Sequence, residues 1–137
     1  MLWASVRNAF GVVRRFLIER SERTLACSRF GCGVSDKDRR GLTLLREWLT
    51  AEQLVQFNRC GHFEVTGSAS GKRYRISYGV ATNVHELDQN GRPIAGWCFV
   101  PDQPLVPGDV VLAQKIALET NETGALAVAR PFRPTWS

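Results

Sequence analysis

Apolar and polar residues alternate one by one from Phe63 to Tyr78 and again from Asn83 to Cys98, whereas on both sides of this centre the apolar residues recur every three or four positions. The alternation predicts strands and the longer period predicts helices. Folding the first alternating run at Ser70-Gly71 sets Phe63 against Tyr78, Val65 against Ile76 and Gly67 against Tyr74. Glu64, Thr66 and Ser68 then oppose Ser77, Arg75 and Arg73 on the other face. The second run turns at Asn90-Gly91, the strongest short turn signal in the chain, and pairs Leu87 with Ile94, Val84 with Trp97 and Asn83 with Cys98. The two hairpins predict a four-stranded antiparallel β-meander within an α+β fold, packed by short helices.

Upstream, Leu2, Trp3, Val6, Phe10, Val13 and Leu17 fall on one stripe of a helix, with Arg7 and Arg14 along its edge. This is the pattern of an N-terminal amphipathic helix. Residues 27–41 mix glycines and dense charge without periodicity and read as a linker. Leu42, Leu45, Trp48 and Leu49 then form a short helical face, and Thr50 followed three residues later by Gln53 is a capping box that opens a second helix through Leu54 and Phe57, ended by Gly61. Beyond Pro101, Pro104 and Pro107, Asp109 is placed to cap a helix carrying Leu112, Ala113, Ile116 and Ala117. Residues 121–130 read as a further helix stopped at Pro131. The expected organisation is a basic helical arm at 1–26, a linker at 27–41, a single domain at 42–130, and a tail at 131–137 anchored by Phe132 and Trp136.

Composition sharpens this picture in one respect. The chain has 137 residues, 44% of them hydrophobic, which suits one domain with its own core. Its net charge of +5 is unevenly spread: residues 1–40 hold nine Lys and Arg against four Asp and Glu, and residues 41–137 hold nine of each. The arm, with Arg7, Arg14, Arg15, Arg20 and Arg23, therefore invites an acidic partner, either nucleic acid or an acidic protein. Its apolar stripe equally suits an anionic membrane surface, or packing on the body of the protein. No apolar run reaches the length of a membrane span, and the interspersed arginines disfavour a secretory signal. The expected location is the cytoplasm, with peripheral membrane attachment as the variant. An Arg-rich, acid-poor amphipathic N-terminus also has the features of an organelle transit peptide.

Three constellations carry chemistry. Cys27-x4-Cys32 with Cys60-x-His62 supplies four ligands of the kind that a structural zinc takes, although neither spacing is the tight two-residue knuckle. The second hairpin brings Cys98, His85 and Asn83 to one expected sheet face, the residue types of a cysteine hydrolase. That hairpin offers no helix N-terminus to lower the thiol pKa and no oxyanion hole, so Cys98 reads as a packed structural thiol. Arg73 and Arg75, with Lys72 and Arg59 nearby, form a basic strip, but the pairing sends Tyr74 and Tyr78 to the opposite face and leaves it without a stacking platform. No phosphate-binding glycine loop, paired catalytic carboxylates or metalloprotease motif is present.

Residues 42–129, above all the run from Gly61 to Pro101 followed by that from Asp109 to Glu122, resemble a group of small uncharacterised bacterial proteins, a likeness that implies no function. The order of hairpins and helix is also similar to zinc-finger-like hairpin–helix modules, but the segment from Asp109 to Glu119 holds neither Cys nor His, and no ligand is carried over. The sequence thus leads to a non-enzymatic binding module with no cofactor other than the candidate zinc. Peripheral membrane association is the alternative, and a cysteine hydrolase a distant third.

Overall fold

A computed structural model describes residues 35–135. Four helices and five strands follow in the order α1 (Asp36–Trp48), α2 (Ala51–Cys60), β1 (His62–Thr66), β2 (Arg73–Ser77), β3 (Val84–Leu87), β4 (Pro93–Cys98), α3 (Pro107–Thr120), α4 (Glu122–Val128) and β5 (Arg130–Phe132). The strands form one antiparallel sheet in sequence order. The N-terminal amphipathic helix lies outside the described residues.

Residues 36–41, read as linker, are instead the opening turns of α1. Asp36 and Asp38 suit the positive end of the helix, and Asp36 pairs with Arg39 at 3.6 Å on its solvated side. Leu42, Leu45 and Leu49 turn inward, whereas Trp48, expected beside them, is 57% exposed. The capping box forms as expected: the Thr50 hydroxyl accepts from the Gln53 amide, and the Gln53 side chain accepts from the Thr50 amide. Gly61, in the left-handed region at φ 73°, closes α2.

Helices and sheet meet in one core where Leu45, Leu49, Phe57, Val111 and Leu118 pack with Phe63, Val65, Tyr74, Ile76 and Val84. Arg46 is also fully buried, its guanidinium 5.8 Å from the centre of the Phe57 ring. The two sheet edges are protected differently. On β1 the Gln56 side chain accepts from the Glu64 amide and the Gln53 side chain donates to the Glu64 carbonyl, so α2 satisfies the free edge. On β5, three residues long, Pro131 shortens what another chain could pair with.

Three sequence expectations are corrected. β1 and β2 pair Phe63 with Ile76 and Val65 with Tyr74, a slip of two residues that preserves the faces, because the connection is a longer loop in which Gly71 donates to the Gly67 carbonyl. Val84 does pair with Trp97, but Leu87 meets Pro93 across a bulge that leaves Ile94 exposed. α3 begins at Pro107 after Val106, with Asp109 inside its first turn, and it buries Val110, Val111, Gln114 and Leu118 while Ala113 and Ile116 face out.

Candidate functional site

The sheet surface away from the core carries one continuous row: Glu64, Arg75, His85, Gly96 and Phe132, each paired with the next. Phe132 belongs to the segment read as a tail; β5 instead lays its ring over Gly96, where any Cβ would overlap it, and sets it edge-on to His85 at 5.5 Å. An aromatic ring therefore stands on the arginine face after all. Both arginines are engaged, Arg73 with Glu64 at 3.2 Å and the Asp88 carbonyl, Arg75 with Glu64 at 3.9 Å and the Gly91 carbonyl.

The hydrolase set does not assemble. Cys98 and His85 share the outer face, with Cys98 half-buried opposite Arg130, but Asn83 turns to α3, where its amide and that of Gln114 donate to each other at 2.8 and 3.0 Å. Asn83 also donates to the Ser77 carbonyl, which uses the amide that was to orient the imidazole. The packing expected around Cys98 is incomplete, because β4 ends at Cys98 and Val100, two residues on, is 67% exposed.

Burial, and then the Arg75 charge, lower the pKa of His85 from its ordinary 6.5. The unfolded chain thus binds this proton more readily, and stability present above pH about 6.5 is lost as the pH falls toward the folded value. Urea unfolding followed from about pH 7.5 to 5.5 should show that slope, and His85→Gln should flatten it.

Of the zinc candidates, Cys60 is exposed at the end of α2 and His62 opens β1 beyond the Gly61 turn, while Cys27 and Cys32 lie outside the described residues. Among the described residues no three His, Cys, Asp or Glu side chains converge on a metal position. Arg7, Arg14, Arg15, Arg20 and Arg23 also lie outside them.

A polar centre that the sequence did not disclose is built on Glu122, which is 3% exposed at the start of α4. Its carboxylate accepts from the backbone amides of Ala69 and Ser70, from the Ser70 hydroxyl, and from the Tyr74 hydroxyl at 2.6 Å, while its own amide donates to Ser68. Burial raises the carboxyl's pKa, but the hydrogen bonds from Ser70, Tyr74 and Ala69 outweigh it and hold the value at about 2. The phenol of Tyr74 is pushed up by burial and by its bond to Glu122. Every partner of the carboxylate donates and the acceptor is charged, so the arrangement is a clamp that fixes the β1–β2 loop to the α3–α4 junction. Helix lengths and a lone glutamate gave no warning of it; the sole sequence sign is Ser68-Ala69-Ser70, small residues able to wrap an anion.

An open concave surface among the described residues lies between α1 and the segment before α3. It encloses about 340 Å³ and is lined by Lys37, Arg40, Gly41 and Leu44 on one side and by Pro104, Leu105, Val106 and Asp109 on the other. Leu44 is 43% exposed and Leu105 46%, two large apolar side chains left facing solvent with two cations beside them. Leu44 has no role in the sequence pattern, because a single leucine outside a helical stripe carries no signal.

No family model, curated protein or solved structure matches this chain. Among the described residues no helix is long and apolar enough to cross a membrane.

Proposed function

We propose that the protein is a non-enzymatic binding module whose basic N-terminal segment, with Arg7, Arg14, Arg15, Arg20 and Arg23, engages an acidic partner, nucleic acid or protein. The observation that carries this reading is the segregation of charge: the whole excess of +5 falls within residues 1–40, and the rest of the chain is balanced. Lys37, Arg39 and Arg40, set against Asp36 and Asp38 at the exposed start of α1, place a net +1 (three cations less two acids) of that excess on the described residues. Each phosphate or carboxylate neutralised releases condensed or screening counterions, which makes such binding strongly salt-dependent.

The test compares the intact chain with a full-length variant carrying Gln at the five arm arginines, against duplex DNA, RNA, polyglutamate and anionic vesicles over a range of salt. If the arm holds DNA, the variant's logarithmic salt slope should fall by about 4.5, near 0.9 for each of the five arginines removed. Equal affinities and equal slopes would sink the proposal. Vesicle binding that is lost in Trp3→Ser with Phe10→Ser, with no binding to the other polyanions, would favour membrane attachment.

A further inference from the structure

We propose that the groove between α1 and the Pro104–Val106 segment receives an acidic amphipathic helix of the partner, with apolar side chains seated on Leu44 and Leu105 and carboxylates facing Lys37 and Arg40. The inference rests on the reading that the partner is acidic, and it adds the partner's class and place of docking.

The groove is formed before any partner arrives. Gly41 of α1 and Gly108 of α3 bring the two helices into backbone contact, since a Cβ at Gly108 would stand 2.6 Å from the Leu42 nitrogen. One wall is therefore fixed by helix packing. The other follows Pro104 and leads into Pro107, and proline restricts the backbone that carries Leu105. A surface ordered in advance spares a ligand the entropy of ordering it.

The lining chemistry selects the occupant. Lys37, Arg40 and Leu44 follow at helical spacing on the exposed side of α1, and Trp48 extends the same stripe by one turn. An apolar track with cations at one end is complementary to a helix with apolar anchors and carboxylates placed to reach that end. Asp109 is the single acid of the lining, and it sits in the first turn of α3, where the helix dipole offsets part of its charge. Nucleic acid would find cations but no aromatic plane within the groove. A bilayer does not enter a concavity of about 340 Å³, which holds one or two side chains. A second copy of this surface would oppose Lys37 and Arg40 to themselves.

The probe is a synthetic 18-residue helix with leucines on one face and glutamates on its flanks, compared with the same peptide carrying lysines, against the full-length protein with labelled leucine methyls. The glutamate peptide should shift the Leu44 and Leu105 methyls and the Trp48 indole, whereas the lysine peptide should leave them in place. Leu44→Ser with Leu105→Ser should weaken binding at least tenfold with an unchanged circular dichroism spectrum, and Lys37→Glu with Arg40→Glu should reverse the peptide preference. The five-arginine arm variant should keep the methyl shifts at reduced affinity. Glutamate-peptide binding without methyl shifts, indifferent to the leucine changes, overturns the groove and leaves the acidic-partner reading standing. DNA binding with neither peptide bound does the same. Failure of every polyanion and of both peptides overturns both readings. Vesicle binding or concentration-dependent dimerisation abolished by the leucine changes assigns the groove to a different occupant and also overturns the proposal.

Discussion

Glu122→Gln should cost about 3 kcal/mol of stability and lower the melting temperature by roughly 10 °C or more, although the replacement is nearly isosteric. The reason is the direction of the hydrogen bonds. Ala69, Ser70 and Tyr74 all donate to the carboxylate, and Glu122 lies 3% exposed at the start of α4. An amide offers one acceptor where two stood, and it turns an NH₂ toward groups that themselves donate, of which the Tyr74 hydroxyl belongs to a fully buried residue, so the loss includes the cost of a poorly satisfied buried donor. Hydrogen bonds to charged groups are worth about 1.5–3 kcal/mol each, and they are shared here among several donors. Gly67→Ala should act on the same centre by pressing a methyl into the Glu122 carboxylate, which its donors hold in place. Tyr74→Phe should be milder, removing one donor and leaving the amides bound.

The pH dependence of that clamp has a definite sign. Folded Glu122 sits at about 2 against an ordinary 4.5, so its contribution is complete above pH 4.5 and disappears as the pH falls from 4.5 to about 2. Acid unfolding of the wild type should therefore steepen through that interval, and Glu122→Gln should show a shallower acid limb from a lower starting stability. A variant as stable as the wild type at neutral pH would mean that the loop does not depend on the carboxylate.

The same centre explains where sequence reading stopped short. Local rules succeeded where both partners are close in the chain: the Thr50–Gln53 box, the Gly61 cap and the Val84–Trp97 pair all stand. The first hairpin slipped by two residues because its loop is shaped by Glu122, a residue far along the chain whose side chain replaces the tight turn that Ser70-Gly71 suggests. β5 was missed because three residues containing a proline carry no alternation; what places Phe132 is the bare Cα of Gly96, which leaves room for the ring. Asn83 left the outer face for a similar reason, since an amide pair with Gln114 satisfies both side chains in the interior. The groove was illegible because it exists only once Gly41 and Gly108 meet.

Gly108→Ala should destabilise the protein by about 3 kcal/mol or more, against the usual preference for alanine over glycine in a helix. The added methyl points at backbone, not at a side chain that can turn away: the carbonyl of Gly41 and the Leu42 nitrogen lie where it would go, the latter at 2.6 Å. Relief requires α1 and α3 to separate, and Leu42, Leu45, Val111 and Leu112, which lie in one buried cluster, would lose contact with it. Gly41→Ala is the informative comparison. Its methyl would meet the side chains of Val106 at 2.7 Å and Asp109 at 3.2 Å, which can shift, and the helix gains about 1 kcal/mol of propensity in return. The net change should stay within about 1 kcal/mol, while the displaced Val106 alters one wall of the groove. Thermal melts should therefore separate the two glycines clearly, and leucine-methyl spectra of Gly41→Ala should show a folded protein with Leu44 and Leu105 shifted. Equal melting temperatures for Gly108→Ala and the wild type would refute the backbone contact that fixes the groove.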